Sequence, residues 1–91
     1  MPYKVLVSKT FQKKFYQLQK NIQNSIRESV KELEKNPYIS RSKCDIKLLK
    51  DTRPKKYRLR ISDYRVIYII EKTEIKVIDL IIRERGYSKL E

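Results

Sequence analysis

The sequence predicts one α+β domain over residues 1–91: an antiparallel β-sheet of about four strands packed on an N-terminal two-helix hairpin, in the order β-α-α-β-β-β. Three observations carry this. Apolar residues from Phe11 to Leu33 recur at the spacing of a helix with one buried face. From Tyr57 onward they run instead as short β-branched and aromatic stretches broken by polar pairs, the pattern of hairpin strands. A length of 91 residues suits a single modest core and leaves no room for two.

Tyr3–Val7 is short, β-branched and apolar at alternate positions, so it reads as the first strand. Ser8 follows it and suits a helix N-cap, where its hydroxyl can accept from an amide a turn ahead. Phe11, Phe15, Leu18 and Ile22 then lie on one helical face, and Ile22, Ile26, Val30 and Leu33 on the next. A break near Lys20-Asn21 divides these into helices of about Lys9–Gln19 and Asn21–Lys35; one continuous helix fits the same spacing. Asn36-Pro37 ends the second, since proline cannot continue a helix and restricts the residue before it. Residues 38–56 are the least regular part, and within them Asp45–Leu49 reads as a short strand or as an apolar clamp on the sheet edge.

The stretch Tyr57–Tyr68 is the centre of the chain. Tyr57, Leu59 and Ile61 alternate with Arg58 and Arg60, Ser62-Asp63 stands at a turn, and Tyr64–Ile70 carries a single charge, Arg65. A run apolar on both faces predicts a central strand. A second turn at about Lys72-Thr73 leads into Glu74–Ile82, with Ile75, Val77 and Ile81 expected on one face and Ile78, Leu80 and Ile82 on the other. The first strand is expected beside the last or the second. Helices cover one face of the sheet, and the polar positions of the hairpin line the other, concave face.

Composition narrows the chemistry. Twenty-three Lys and Arg against 11 Asp and Glu give a formal charge of +12, which attracts nucleic acid or an acidic protein. No apolar run approaches the roughly 20 residues of a spanning helix, and no signal peptide opens the chain, so no membrane partner is expected. A hydrophobic content of 40% excludes a disordered basic tail. A single cysteine, Cys44, forms no internal disulfide, which makes a cytoplasmic setting the expectation and Cys44 an inert residue. The chain has no histidine, so the usual neutral-pH base is missing, and neither a zinc site nor any cofactor is expected.

Arg58 and Arg60 share one strand face, Arg65 lies in the adjoining strand, and Arg83, Arg85 and Tyr87 follow the last one. With Lys47, Lys50, Lys55 and Lys56 they predict a basic cleft edged by an aromatic ring. Arginine forks match phosphate oxygens in pairs, and Tyr87 suits stacking on an unpaired base, as in single-stranded RNA recognition. The only glycine, Gly86, directly precedes that tyrosine. Cleavage through the 2′-hydroxyl of RNA would further need a base, stabilisation of the phosphorane and a proton for the 5′-oxygen. Dense positive charge supplies the second directly and eases deprotonation of a nearby hydroxyl, lysine or tyrosine. Residue chemistry by itself favours RNA binding over RNA cleavage.

The segments YRLRISDYRVIY and VIDLIIRERGY, with the preceding helical hairpin, resemble the RelE/ParE superfamily of toxins, most of all its archaeal RelE-like branch. The likeness runs from Tyr3 to Tyr87. It implies a type II toxin–antitoxin toxin: a metal-independent, ribosome-dependent endoribonuclease that cleaves messenger RNA and inhibits translation. It also implies an acidic or amphipathic helical antitoxin that masks the cleft. By this resemblance Arg58 and Arg60 stand at the positions of base catalysis and phosphate contact. Arg65 stands at transition-state stabilisation, Arg83 at leaving-group protonation or neutralisation, and Tyr87 at base stacking. Lysines occupy the first two positions in well-understood relatives, so the arginines here supply no readily titratable base. ParE relatives share the scaffold and act on DNA gyrase, which leaves a non-catalytic, ParE-like or degenerate binding module as the alternative. An RNA-binding protein with no toxin role is the third reading. A solvated arginine face, and an ion pair of Arg65 with Asp63 or Asp79, are the plainer structural explanations.

Overall fold

A computed structural model describes residues 3–49 and 53–82. The elements are β1 (Lys4–Val7), α1 (Lys9–Phe15), α2 (Lys20–Leu33), β2 (Asp45–Leu48), β3 (Tyr57–Ile61), β4 (Tyr64–Glu71) and β5 (Glu74–Ile82). They form the expected α+β fold, with both helices on one face of a five-stranded sheet of order β1-β5-β4-β3-β2. Asp45–Leu48 is a true strand, paired antiparallel with Tyr57–Arg60 of β3, which raises the expected strand count to five. β1 lies beside the last strand and runs parallel to it, so the sheet is mixed rather than purely antiparallel. β2 runs antiparallel to β1, and the three antiparallel pairings from β2 to β5 then bring β5 back parallel to β1.

The helices do break, but earlier than Lys20-Asn21. α1 stops at Phe15, Leu18 N donates to the Phe15 carbonyl, and α2 starts from Gln19 without a side-chain cap. Gln23, buried on α2, reaches back and donates its amide to the Leu18 carbonyl at 2.9 Å, closing the corner with a side chain where a capping residue is missing. Ser8 caps α1 as expected, accepting from Phe11 N at 3.0 Å. Its hydroxyl also donates to the Ile78 carbonyl at 2.9 Å, so one side chain starts the helix and pins it to β5.

The core lies between the helices and the sheet. Phe11, Phe15, Ile26 and Leu33 meet Ile46, Leu59, Val66, Tyr68, Ile75, Val77 and Leu80 there. The phase of β5 departs from simple alternation. Tyr68 pairs with Val77 but Ile67 pairs with Asp79, so Ile78 is an extra residue in the ladder. Such a bulge reverses the side-chain parity. Ile75 and Val77 therefore share the core face with Leu80, and the expected grouping of Ile75 and Val77 with Ile81 fails beyond Val77. Both two-residue turns put their first residue in the left-handed region, Ser62 at φ 55° and Lys72 at φ 57°. Among the described residues no helix is long and apolar enough to cross a membrane.

Candidate nucleic-acid interface

Leu59 and Val66 are register partners, both fully buried under the helices. Alternation then turns the residues on either side of each toward the open face of the sheet. Arg60 stands directly opposite Arg65, and Arg58 opposite Ile67. On the outer side, Asp45 of β2 stands opposite Arg60 and Lys47 opposite Arg58; on the inner side, Ile81 of β5 stands opposite Arg65. One row across the open face therefore reads Asp45, Arg60, Arg65, Ile81, and the next Lys47, Arg58, Ile67, Asp79. The predicted residues Arg58, Arg60, Arg65 and Lys47 are brought onto one surface.

The three arginines differ in their surroundings. Arg60 is exposed, and its Nε donates to the Ser62 carbonyl at 3.4 Å, folding the side chain toward the hairpin turn. Arg65 is half-buried. The Arg58 side chain is only 15% exposed, and its Nη2 lies 3.3 Å from Asp45 Oδ1. Its Nε is buried and meets no hydrogen-bond acceptor among the described residues. Asp79, one of the two carboxylates the sequence offers Arg65, accepts from Lys14 of α1 at 2.8 Å and from Leu80 N at 2.7 Å. Like charges directly opposite on neighbouring strands repel, so the register sets two cations side by side at Arg60 and Arg65. What this surface can do is hold phosphate in arginine forks and stabilise added negative charge on it.

Lys55, which is exposed, and Lys56 lie in the segment entering β3, at the end of the hairpin away from the Ser62-Asp63 turn. There Leu49 N donates to the Lys56 carbonyl at 2.9 Å and closes the β2–β3 end. Lys50, Arg83, Arg85 and Tyr87 lie outside the described residues. Cys44 is buried and its thiol donates to the Ser29 carbonyl at 3.5 Å; burial pushes its pKa up, which suits an inert packing role. Sequence reasoning missed Asp45, the carboxylate on the arginine surface. The parity that placed Lys47 on the open face places Asp45 there too. A second omission lies on the opposite side: a groove of about 630 Å³ between β1, α1 and α2, lined by Val5, Val7, Phe11, Phe15, Tyr16 and Val30 among others. Val7 and Tyr16 on its rim are exposed, which only the folded arrangement reveals.

A small, strongly basic α+β domain with arginines ranked on the bare face of a mixed sheet defines a recognisable class. Residues 5–87 match the family model described as ParE toxin of type II toxin-antitoxin system, parDE. Among solved structures, the chain is similar to the archaeal RelE-RelB complex from Pyrococcus horikoshii OT3, at 34% identity and TM-score 0.79, covering 93% of this chain and 99% of that one. The RelB-RelE complex from Methanococcus jannaschii, at 23% identity and TM-score 0.70, covers 85% and 88%. The intact E. coli RelBE complex, at 21% identity and TM-score 0.71, covers 91% and 99%. These last two share the fold. No curated protein matches in sequence. The chain belongs to the RelE/ParE superfamily of type II toxin–antitoxin toxins, with an archaeal RelE-like character.

Proposed function

We propose that this toxin is a ribosome-dependent endoribonuclease that cuts messenger RNA without a metal ion and so inhibits translation. The observation that carries the reading is the cross-strand arrangement of Arg60 opposite Arg65 with Arg58 on the same face. In the reaction the messenger's 2′-hydroxyl gives up its proton to water as its oxygen attacks the adjacent phosphorus, a pentacoordinate phosphorane forms, and the P–O5′ bond breaks as the 5′-oxygen takes up a proton, giving a 2′,3′-cyclic phosphate and a free 5′-hydroxyl. Arg58 and Arg60 clamp the phosphodiester, and Arg65 neutralises the charge that builds on the phosphorane oxygens. Arg83 serves the leaving oxygen and Tyr87 stacks on the base; both roles rest on the family resemblance. Lys47, Lys50, Lys55, Lys56 and Arg85 steer the RNA by long-range attraction.

The natural partner is a RelB-like antitoxin with an amphipathic or acidic helical segment, and the setting is cytoplasmic. The similar structures from Pyrococcus and Methanococcus are complexes of RelE with RelB, and the apolar groove between β1, α1 and α2 suits the apolar side of such a helix. The match to the ParE description favours one competing reading, a non-catalytic binding module on the same scaffold.

Induced expression of the native chain and of Arg65→Ala, followed by mapping of messages on programmed ribosomes, separates the two. Growth arrest and cleavage by the native chain, both lost in the variant, are expected. Arrest that survives in the variant, or arrest with no cut messages, would assign the toxicity to binding instead.

A further inference from the structure

The feature left over is the pairing of Arg58 with Asp45. Nε and Nη2 lie side by side along one edge of a guanidinium, and together they form the fork that a two-oxygen anion fills. In Arg58 one carboxylate oxygen of Asp45 takes Nη2 at 3.3 Å, while Nε is buried and has no acceptor among the described residues. The fork is half-filled. A buried donor without a partner is an unfavourable state that a better-matched anion would relieve. Asp45 is 55% exposed and sits on the edge strand, diagonal to Arg58 across the β2–β3 ladder, so it can swing into solvent without disturbing the core. Lys47, in register with Arg58, supplies a second cation at the same place.

We propose that Asp45 is a built-in competitor that occupies Arg58 in the free protein and yields it to a phosphodiester of single-stranded RNA. The inference rests on the RNA-directed reading of this face and adds a residue with a defined task to it. The carboxylate holds Arg58 extended over the sheet when no RNA is present. It leaves when two phosphate oxygens engage Nε and Nη2 together. Asp45 thereby sets a threshold: a single-point anion such as chloride gains little at this fork, and a bidentate phosphodiester gains most. The residue is a positioning and specificity residue, acting through Arg58 and not on the scissile bond.

The test is a double-mutant cycle on binding of a fluorescent 2′-O-methyl RNA decamer, which cannot be cut through its own 2′-oxygen. The proteins are the native chain, Asp45→Asn, Arg58→Ala and the double variant, with Asp63→Asn as a control for net charge. Asp45→Asn should tighten binding about three- to tenfold, the scale of a partly buried ion pair no longer given up on binding. In the Arg58→Ala background the same change should have an effect under about twofold. An equal gain in both backgrounds, or an equal gain from Asp63→Asn, would reduce Asp45 to one more negative charge and overturn the inference. Weaker binding by Asp45→Asn would also overturn it, since the carboxylate would then be aiding RNA contact. A native chain that fails to bind the decamer removes the RNA reading along with the inference, whereas binding without coupling removes the inference alone.

Discussion

Replacing Tyr68 by phenylalanine deletes one oxygen atom from a fully buried side chain. That hydroxyl donates to the Pro37 carbonyl at 2.7 Å and ties β4 to the turn that follows α2. The ring itself, stacked on Tyr57 at 5.5 Å and 16°, has no reason to move. The loss is therefore one hydrogen bond at nearly constant packing, with the Pro37 carbonyl left short of its donor, at a cost of about 1–3 kcal/mol. In a domain of this size such a cost lowers the melting midpoint by roughly 5–15 °C near neutral pH. The pH dependence sharpens the test. Burial, with smaller contributions from Cys44 and Tyr57, raises the Tyr68 pKa far above its ordinary value of 10.0. The unfolded chain ionises this phenol first, so stability is fully present below the ordinary tyrosine range and falls as pH climbs beyond it. Between about pH 9 and about pH 11 the native chain should lose about 1.4 kcal/mol that Tyr68→Phe keeps. Raised groups common to both proteins, Tyr38 and Cys44, cancel in the difference. Urea denaturation of both proteins across that range, followed by far-ultraviolet circular dichroism, measures the gap directly. A gap that stays constant with pH would show that Tyr68 ionises equally in both states, and a neutral-pH gap near zero would show that the Pro37 contact contributes nothing.

Two further substitutions probe the corners that hold the site in place. Ser8→Ala removes both the acceptor for Phe11 N and the donor to the Ile78 carbonyl, and should lower stability by about 1–2 kcal/mol with an unchanged urea slope. Arg41 donates to the carbonyls of Asn36, Ile39 and Glu32, closing the turn after α2 with one guanidinium. Arg41→Lys should cost about 1–2 kcal/mol in the same denaturation measurement, because a single ammonium cannot span all three carbonyls in the planar arrangement that arginine provides. A lysine variant as stable as the native chain would show that the fork is dispensable.

The parts of the fold that read directly from the chain are those set by local pattern. The stripe from Phe11 to Leu33 gave the helices, and the alternation of Tyr57, Leu59 and Ile61 gave β3 with the correct face inward. What failed depended on distant partners. The parallel pairing of Lys4–Val7 with Glu74–Val77 is a contact across some seventy residues of sequence that no short window contains. The bulge at Ile78 owes its place partly to Ser8, which donates to that residue's carbonyl, and β5 read by itself offers only an unbroken apolar run. The α1–α2 corner closes through Gln23 on Leu18, a polar residue inside an apolar face that periodicity alone treats as noise. On the open face the arginines were legible because arginine between apolar neighbours stands out. Asp45 was not, since its partner Arg58 lies thirteen residues away and is reached only through the β2–β3 register.

The clustering of Arg58, Arg60 and Arg65 follows from where the core residues must go. Burying Leu59 and Val66 beneath the helices contributes about 1.5–3 kcal/mol for each side chain. The repulsion of like charges set opposite one another on adjacent strands is smaller, at most about 1 kcal/mol for a pair. Core burial therefore wins, and the register that satisfies it places Arg60 against Arg65 regardless of their charge. Sliding β3 by one residue would relieve the repulsion, but it would turn Arg58 and Arg60 into the core and Leu59 out to water. The strand pairing thus holds the positive charges together more firmly than the charges push apart. The concentration of positive charge on the open face is thus a by-product of the core that the same register builds.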